Sequence, residues 1–507
     1  MQPVIPAAKH RTWPEPATLV ALFAAAQIVT WTLAPALTHS APPIDVVEGY
    51  MWGREWVIAT YKHPALPSWF LEASRVLTGG TTGWPAYLVS QLFIAATFGL
   101  VFLLGRDMMG PERAAAGTLL LAGVTYYSWP TPEFNHNIAA APFWAGLALA
   151  LWRAVERRSL VWWMLLGAFA AGALYAKLSA ALILIPVATW ILLDARARAC
   201  LATPGPWLGL AVFALVVTPL AAWLFAHDFA PLVYIAQRTG SRPMTHIPLF
   251  LLDTLANVVG IVAMLAIAGL IGPRRWTPAS GVPQQAAPRV DERVQRFLLL
   301  LTFGPLVLAL VTALISHAGL KTAWGSSMFN LAGLLAIALT ADRITSAGLR
   351  RIALSAALLV VAVPIGYVAA VKIAAQRASG IGMRANWPQK AIAERFSSIW
   401  TRETGAPLRI VAGDPWLAGL VGLAHKDTPS ILTNGDMTLS PWITPSRIDR
   451  EGMLIVWEAG ARDSPLKLFP LLAASKTGEE RFNFTYGRNR RELVIVYAIV
   501  PPKPPAR

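Results

Sequence analysis

Residues 84–105 read Trp-Pro-Ala-Tyr-Leu-Val-Ser-Gln-Leu-Phe-Ile-Ala-Ala-Thr-Phe-Gly-Leu-Val-Phe-Leu-Leu-Gly and contain no charged side chain. A helix needs about 20 apolar residues to cross the ~30 Å hydrocarbon layer of a bilayer, so this stretch predicts a transmembrane helix. Ten other segments are apolar over most of their length. The eleven predicted spans lie at 17–38, 84–105, 112–129, 137–153, 160–176, 178–194, 206–226, 248–272, 297–316, 322–341 and 351–372.

The composition indicates the same class of protein. Of the 507 residues, 55% are hydrophobic and only 14% are charged, and the mean hydropathy is +0.51. Soluble globular domains carry about 25% charged residues, so an ordinary cytosolic enzyme, a disordered protein and a disulfide scaffold are excluded. Cys200 is the single cysteine and leaves no partner for an intramolecular disulfide. We therefore predict a polytopic α-helical membrane protein with about eleven transmembrane helices.

The basic residues predict the orientation of these spans. The formal net charge is +16. In so apolar a chain, we attribute it to Lys and Arg residues in cytoplasmic loops rather than to a nucleic-acid-binding surface. With the N-terminus inside, seventeen Lys and Arg residues fall in cytoplasmic loops and seven in the opposite short segments. An odd number of spans then places the C-terminus outside the membrane.

The composition changes near residue 375, where the chain becomes charged and carries signals typical of soluble domains. We predict a transmembrane domain over residues 1–374 with an outer loop at 39–80, and a small extracytoplasmic α/β domain over residues 375–507. Hydrophobic periodicity predicts two helices in this second domain, after Trp387-Pro388 and after Pro415, and strands at 408–411, 453–457 and 493–500.

The outer loop at 39–80 carries two carboxylates at helical spacing. Asp45 and Glu48 are three residues apart, so a short helix would present both on one face. Such a pair at a membrane surface can supply a general base and a contact to a metal ion or substrate. The same spacing also fits acidic residues that stabilise the N-terminus of a helix. The spacing leaves both interpretations open.

Further polar residues gather at the outer ends of the predicted spans. A cation at this depth can hold a lipid phosphate as a point charge, and a lysine within a membrane segment is a candidate functional residue. Snorkelling to the headgroups and capping of membrane helices are the structural alternatives. The candidates are Lys62, His63, Glu133, His136, Lys177, Arg238, Lys321 and Trp324.

At these residues the sequence resembles glycosyltransferase family 39 of the GT-C superfamily, which includes the protein O-mannosyltransferases and the bacterial lipid A aminoarabinose transferase. That family carries an outer-loop Asp-Glu pair followed by Tyr and Trp, then a Tyr-Phe-Asp-His-Pro-Pro-Leu motif, a Thr-Pro-Asp element, a membrane-edge Lys and an outer-facing Trp. The resemblance covers roughly residues 15–345. The matching residues are Asp45, Glu48, Tyr50, Trp52, Tyr61, Lys62, His63, Pro64, Ala65, Leu66, Thr131, Pro132, Glu133, Lys177 and Trp324.

The chain departs from the family pattern at three places. Asp45 and Glu48 are separated where the family has an adjacent pair. Lys62 stands where many relatives have an acid, and Glu133 replaces an Asp. These differences bear on the metal and phosphate contacts more than on the class of reaction.

The resemblance implies an inverting glycosyltransferase at the periplasmic face of the bacterial inner (plasma) membrane. The donor would be a polyprenyl-phosphate-linked sugar and the acceptor a lipid, glycan or protein. Asp45 and Glu48 would be the catalytic carboxylates, and the other candidates would bind the donor phosphate or the acceptor. A divalent metal is a candidate cofactor, with Glu48 and Glu133 as its candidate ligands.

The principal alternative is a transporter or flippase of lipid-linked sugars, and a third interpretation is a scaffold whose outer domain binds a partner. A transporter would place polar residues and broken helices near the bilayer midplane, whereas the ionisable residues here lie at the predicted outer ends of helices. The sequence contains no Walker motif, dinucleotide fingerprint or zincin motif.

The predicted topology can be tested with one introduced cysteine. In a Cys200→Ser background, Asp436→Cys is expected to react with a membrane-impermeant maleimide in intact spheroplasts, because residues 375–507 are predicted to lie outside. Gln285→Cys, in a predicted cytoplasmic loop, is the matched control and should react only after lysis. Protection of position 436 until lysis would contradict the orientation.

Overall fold

The computed structural model describes residues 13–240, 246–272, 289–317, 319–320, 322–373, 384–425, 427–460, 476–486 and 489–503. Helices form the part up to residue 373, and a mixed sheet with flanking helices follows. The α-helices are α1 (Pro16–Thr38), α2 (Ile44–Arg54), α3 (Leu66–Leu77), α4 (Trp84–Met109), α5 (Pro111–Leu119), α6 (His136–Arg157), α7 (Leu160–Ala176), α8 (Ala181–Leu193), α9 (Ala195–Ala199), α10 (Pro204–Ala226), α11 (Ala230–Gly240), α12 (His246–Ala256), α13 (Val259–Ile267), α14 (Glu292–Ile315), α15 (Ala332–Leu339), α16 (Ser346–Ile373), α17 (Gln389–Thr404), α18 (Pro415–Ala424) and α19 (Pro445–Glu451). The strands are β1 (Ile410–Gly413), β2 (Ser430–Thr433), β3 (Met453–Glu458), β4 (Lys476–Tyr486) and β5 (Asn489–Val500).

The long apolar helices are those of a multi-pass membrane protein. Among the described residues, seven helical segments are long and apolar enough to cross a bilayer: α1, α4, α6, α10, His246–Ile267, α14 and Ser346–Lys372. The pair Leu178–Leu193 and Ala195–Ala202, bent by 83°, makes an eighth if it counts as one span. The predicted number of eleven is therefore not confirmed.

Two of the predicted spans, 112–129 and 322–341, do not form long helices. Each divides into a short α-helix and 3₁₀ segments, and the two regions pack closely on each other. A Cβ on Gly333 would clash with the Gly117 carbonyl oxygen. Glycine and β-branched residues favour helix weakly, which fits the early end of α5. The 3₁₀ segments are Leu120–Gly123, Thr125–Tyr127 and Thr322–Phe329.

A buried polar network ties the helices of the bundle together. Gln27 Nε2 donates to Gln91 Oε1 at 3.1 Å and to the Tyr127 carbonyl oxygen at 2.7 Å. The Tyr127 hydroxyl donates to Asn330 Oδ1, and Asn330 Nδ2 donates to the Ala141 carbonyl oxygen at 2.7 Å. Buried polar groups are costly unless they are hydrogen-bonded. These bonds therefore fix α1, α4 and α6 relative to one another.

The two short helices α2 and α3 occupy the predicted outer loop between α1 and α4. Almost all of α2 is buried, from Val46 to Gly53. Its two glycines permit this close packing against α3: a Cβ on Gly49 would clash with Leu71, and one on Gly53 would clash with the Ser68 carbonyl oxygen. The carboxylates of α2 are therefore placed on a rigidly packed element.

The C-terminal sheet has the strand order β2-β1-β3-β5-β4. Strand β1 pairs in parallel with β2 and β3, and β5 pairs antiparallel with β3 and β4. Helix α18 connects β1 to β2, and α19 connects β2 to β3. The predicted helices correspond to α17 and α18, and the predicted strands to β1, β3 and β5. Strands β2 and β4 were not predicted.

Helix α18 of this sheet packs directly on α2. A Cβ on Gly419 would clash with Val47, and the Met51 sulfur lies close by. Arg54 Nη1 donates to the carbonyl oxygens of Gly422 at 3.1 Å and Pro429 at 3.2 Å. The sheet domain therefore covers α2. The predicted domain boundary at 374/375 stays a prediction, since residues 374–383 lie outside the described residues.

Helices α7 and α10 meet at a pair of glycines, and this contact yields a prediction. A Cβ on Gly167 would clash with the Gly209 carbonyl oxygen, and small residues are what permit membrane helices to approach so closely. Gly167→Ala is expected to destabilise the protein by about 1–3 kcal/mol through overpacking, seen as a lower Tm in detergent. Gly99→Ala, where a Cβ meets nothing within 4 Å, is the control. Equal Tm values for the two variants would contradict the close contact.

Candidate functional site

A buried ion pair stands at the centre of the candidate site. Helix α2 carries Asp45 in its first turn and Glu48 one turn later. Glu48 is 4% exposed, and Lys62 Nζ donates to both of its carboxylate oxygens, at 2.8 Å to Oε1 and 2.7 Å to Oε2. The structure therefore joins two residues that the sequence analysis had proposed for different roles.

A tight turn after α2 presents Lys62 to this carboxylate. Thr60 Oγ1 accepts from the backbone N–H groups of Lys62 at 3.2 Å and His63 at 3.3 Å, and Thr60 N–H donates to the His63 carbonyl oxygen at 2.9 Å. Threonine side chains stabilise such turns by these local bonds. Helix α3 then begins at Leu66 with Pro67 in its first turn, a position that proline tolerates.

Burial and neighbouring charges set the proton affinity of the pair. Burial raises the pKa of Glu48; the Lys62 ammonium and, more weakly, Arg238 oppose this effect, and the Asp45 carboxylate adds to it. Burial alone would lower the pKa of Lys62, but the Glu48 carboxylate outweighs it and leaves that pKa raised. Asp45, Glu48, Lys62 and Arg238 thus form one electrostatic cluster.

Aromatic rings surround the Lys62 ammonium. Lys62 Nζ lies 6.0 Å from the ring centroid of Trp52 and 5.8 Å from that of Tyr234, within the range of cation–π attraction. Tyr61 makes edge contacts with both rings, at centroid distances of 6.4 Å to Trp52 and 5.9 Å to Tyr234. Sequence analysis did not predict Tyr234, because no local motif links α11 to the outer loop.

Two histidines connect this cluster to the start of α6. The rings of His63 and His136 lie 4.1 Å apart between centroids, and His136 Nε2 is hydrogen-bonded to the Pro64 carbonyl oxygen at 3.1 Å. Asn135 caps α6, since its side chain accepts from the N–H groups of Asn137 at 3.0 Å and Ile138 at 3.3 Å. The capping interpretation of this motif is therefore correct for Asn135, while His136 reaches the site.

Lys177 adjoins the histidines at the end of α7. Its Nζ donates to Asn137 Oδ1 at 2.5 Å, and the Asn137 carbonyl oxygen accepts from Ser327 Oγ at 3.1 Å. Lys177 and Ser327 line one small cavity. Lys62 and Lys177 both act electrostatically on His136. Asn137, which was not among the predicted site residues, therefore orients the second lysine.

Three predicted site residues are not brought into this cluster by the described contacts. Glu133 acts electrostatically on Tyr367, whose hydroxyl is hydrogen-bonded to His39 Nε2 at 2.7 Å, so its role in the site stays a prediction. Lys321 lies outside the described residues, and so does the side chain of Trp324.

The two carboxylates predicted as metal ligands do not fit a shared metal ion. Both oxygens of Glu48 are hydrogen-bonded to Lys62, which leaves neither oxygen free to bind a metal ion. Within the described part of the chain, no group of three or more His, Cys, Asp or Glu residues could hold a metal.

Part of the chain is similar to a known protein family. Residues 62–223, less than half of the chain, match the family model for dolichyl-phosphate-mannose-protein mannosyltransferases. This match includes Lys62, His63, His136 and Lys177. A search of curated proteins finds no matching sequence.

Solved structures show the same fold. ArnT from Cupriavidus metallidurans bound to undecaprenyl phosphate is 14% identical with a TM-score of 0.63, and the alignment covers 95% of this chain and 98% of that one. Its apo state gives a TM-score of 0.59 at the same identity and coverage. The Archaeoglobus fulgidus oligosaccharyltransferase in complex with Zn and sulfate is more distant: it is 12% identical over 82% of this chain and 62% of that one, with a TM-score of 0.38. The expected resemblance to glycosyltransferase family 39 and the GT-C superfamily is confirmed, and the chain has the ArnT fold.

The buried ion pair predicts a pH-dependent loss of stability in Lys62→Met. Because the pKa of Glu48 is raised in the folded chain, its contribution to stability is full at acidic pH and declines as the pH rises through that pKa. Lys62→Met lacks the ammonium, so its free energy of unfolding should decline much more as the pH rises. We expect a loss of about 3–5 kcal/mol at neutral pH, the range for breaking a buried ion pair. The measurement is Tm in detergent as a function of pH.

Two variants control this experiment. Lys390→Met removes an exposed lysine whose partner Glu394 lies at 3.8 Å, and should change Tm little at any pH. Adding Glu48→Gln to Lys62→Met should remove the pH dependence. A Tm loss in Lys62→Met that is the same at acidic and neutral pH would contradict an ionised buried pair.

Proposed function

We propose that the protein is an inverting glycosyltransferase that moves a sugar from a polyprenyl-phosphate-linked donor to a hydroxyl group of a lipid, glycan or protein. The observation that carries the proposal is that two carboxylates and two cations form one cluster. The carboxylates are those of Asp45 and Glu48, and the cations are Lys62 and Arg238. Displacement at an anomeric carbon needs a proton acceptor for the nucleophile and positive charge for the leaving phosphate. This cluster offers both.

The contacts support different roles for the two carboxylates. Both oxygens of Glu48 are engaged by Lys62, whereas Asp45 is partly exposed and has no hydrogen-bonded partner among the described residues. We assign Asp45 as the general base and Glu48 as the residue that positions Lys62. In the reaction, the acceptor hydroxyl gives its proton to Asp45 and its oxygen bonds to the anomeric carbon. The bond from that carbon to the phosphate oxygen breaks, and polyprenyl phosphate leaves.

The positions of the cations support a role in stabilising the leaving group. Lys62 is fixed by Glu48 and by the flanking rings of Trp52 and Tyr234. Lys177 is held by Asn137 at the end of α7, and Arg238 lies exposed on α11. Preorganised charges of this kind stabilise a transition state in which negative charge develops, without reorganising during the reaction.

The structural relatives support a lipid-phosphate donor. The ArnT structure with the same fold contains undecaprenyl phosphate, and the family model over residues 62–223 is described for proteins that use dolichyl-phosphate mannose. Both descriptions name an isoprenoid phosphate. The basic residues in the predicted cytoplasmic loops support placing the reaction at the periplasmic face of a bacterial inner membrane.

Asp45→Asn tests the proposed base. The amide keeps the shape of the side chain but cannot accept the proton, so single-turnover transfer should fall about 10²–10⁴-fold, while donor affinity stays nearly unchanged. The assay uses purified protein, a panel of defined polyprenyl-phosphate sugars and membrane extract as the acceptor, with products identified by mass spectrometry.

Glu48→Gln is the matched comparison. We expect it to be milder in turnover or to act mainly on donor affinity, because it loosens Lys62. Collapse of turnover in Glu48→Gln with near-normal turnover in Asp45→Asn would reverse the two roles. Normal turnover in both variants would remove α2 from the mechanism.

A further inference from the structure

The C-terminal sheet has a topological switch point that the proposed mechanism does not use. From β1 the chain passes through α18 to β2 on one side, and from β2 it returns through α19 to β3 on the other side of β1. Open α/β sheets bind ligands in the crevice at the carboxyl ends of the strands where the order reverses. Here that crevice lies between the ends of β1 and β3.

Charged residues of both signs lie at the carboxyl ends of β1 and β3. Asp414 directly follows β1 and caps α18, accepting from the N–H groups of Trp416 at 3.0 Å and Leu417 at 3.2 Å. Glu458 ends β3 and interacts electrostatically with Asp414. Arg384 acts on both carboxylates. These three charges meet at the carboxyl edge of the sheet.

Several buried hydrogen-bond donors of residues 386–389 and of α18 have no partner in the described structure. They belong to Asn386 (Nδ2), Trp387 (Nε1), Gln389 (Nε2) and Trp416 (Nε1). Trp416 is 2% exposed, Trp387 is 5% exposed and Gln389 is 9% exposed. Leaving such a donor unsatisfied costs about 1–3 kcal/mol, so this concentration of donors points to a ligand.

The aromatic rings join the donors to the charges. The Arg384 guanidinium lies 5.4 Å from the Trp416 ring centroid, and the Trp416 and Trp387 rings make an edge contact at 5.9 Å. These rings, Arg384 and the two carboxylates therefore form one local group, which Asn386 and Gln389 adjoin in the chain. We call these residues the sheet-edge cluster: Arg384, Asn386, Trp387, Gln389, Asp414, Trp416 and Glu458.

We propose that the sheet-edge cluster is a carbohydrate-binding subsite. A sugar carries hydroxyl groups that both donate and accept, which matches indole, amide and guanidinium donors beside the acceptors Asp414 and Glu458. Its apolar C–H faces suit tryptophan rings, which combine apolar area with an N–H group. A bare phosphate or sulfate is disfavoured by the two carboxylates.

The position of the cluster relates it to the proposed reaction. The Ala385 carbonyl oxygen accepts from the backbone N–H groups of Ser40 at 2.7 Å and Ala41 at 3.1 Å, and Asp45 follows four residues later on α2. Helix α18, which begins at the cluster, packs along α2. A sugar bound here would be part of the acceptor. This acceptor role rests on the proposed transferase function, but the proposal that the cluster binds a sugar does not.

Saturation-transfer NMR on the full-length protein in nanodiscs tests the subsite. The probes are the methyl glycosides of mannose, glucose, galactose and arabinose, with glycerol as a non-sugar control. We expect saturation transfer to at least one glycoside and none to glycerol. Glu458→Gln and Arg384→Gln should each weaken binding by about tenfold or more, the loss of one hydrogen bond to a charged group.

Matched exposed charges on α17 provide the controls. Glu394→Gln and Lys390→Gln remove side chains that are 67% and 90% exposed and should leave binding unchanged. Absence of saturation transfer to every glycoside, as expected if water alone satisfies the donors, would overturn the proposal. So would equal binding by the Glu458→Gln, Arg384→Gln and wild-type proteins.

The same preparations separate this proposal from the transferase proposal. Glycoside binding that depends on Arg384 and Glu458, in a protein that transfers no sugar, would support the subsite and contradict the transferase function. Sugar transfer by a wild-type protein that binds no glycoside would contradict the subsite and leave the transferase function standing.

Discussion

The ion pair between Glu48 and Lys62 is the interaction on which the rest of the site depends. A carboxylate that is 4% exposed is stable in a folded protein only with a close partner, and Lys62 supplies one to both oxygens. To do so, the turn at Thr60 must lie against α2, which brings His63 beside His136 of α6. One buried pair thereby aligns the outer loop with the ends of the membrane helices.

Burial of this pair requires a cover, and the C-terminal sheet provides it. Helix α18 packs its Gly419 on α2, and Arg54 at the end of α2 binds two carbonyl oxygens of the sheet domain. Burial lowers the pKa of Arg54 to about 10. The sheet domain is therefore part of the structure that holds the carboxylates, and its carboxyl edge is joined to the start of the same loop through Ala385.

The sequence predicts the elements of this molecule better than it predicts their contacts. Apolar length identified the long helices, but it could not show that 112–129 and 322–341 divide into short segments, which pack on each other at Gly117 and Gly333. Periodicity found β1, β3 and β5, whereas β4, with the charged sequence Glu479-Glu480-Arg481, gave no apolar pattern.

The same limit applies to the site. The motifs predicted the site residues Asp45, Glu48, Lys62, His136 and Lys177. Their position near the ends of helices follows from the predicted spans. That Glu48 binds Lys62 fourteen residues away could not be predicted, because it depends on a turn stabilised by Thr60. The partner of Lys177 could be foreseen only as one of several polar residues near 135–137.

The most direct measurement of the central claim distinguishes cleavage of the donor from its movement. Proteoliposomes that contain the protein and a defined polyprenyl-phosphate sugar would be supplied with envelope acceptor extract, and both lipid products followed by mass spectrometry. We expect free polyprenyl phosphate and glycosylated acceptor to appear together and in equal amounts. Transfer of the intact donor across the bilayer, without release of free polyprenyl phosphate, would contradict a glycosyltransferase and indicate a flippase.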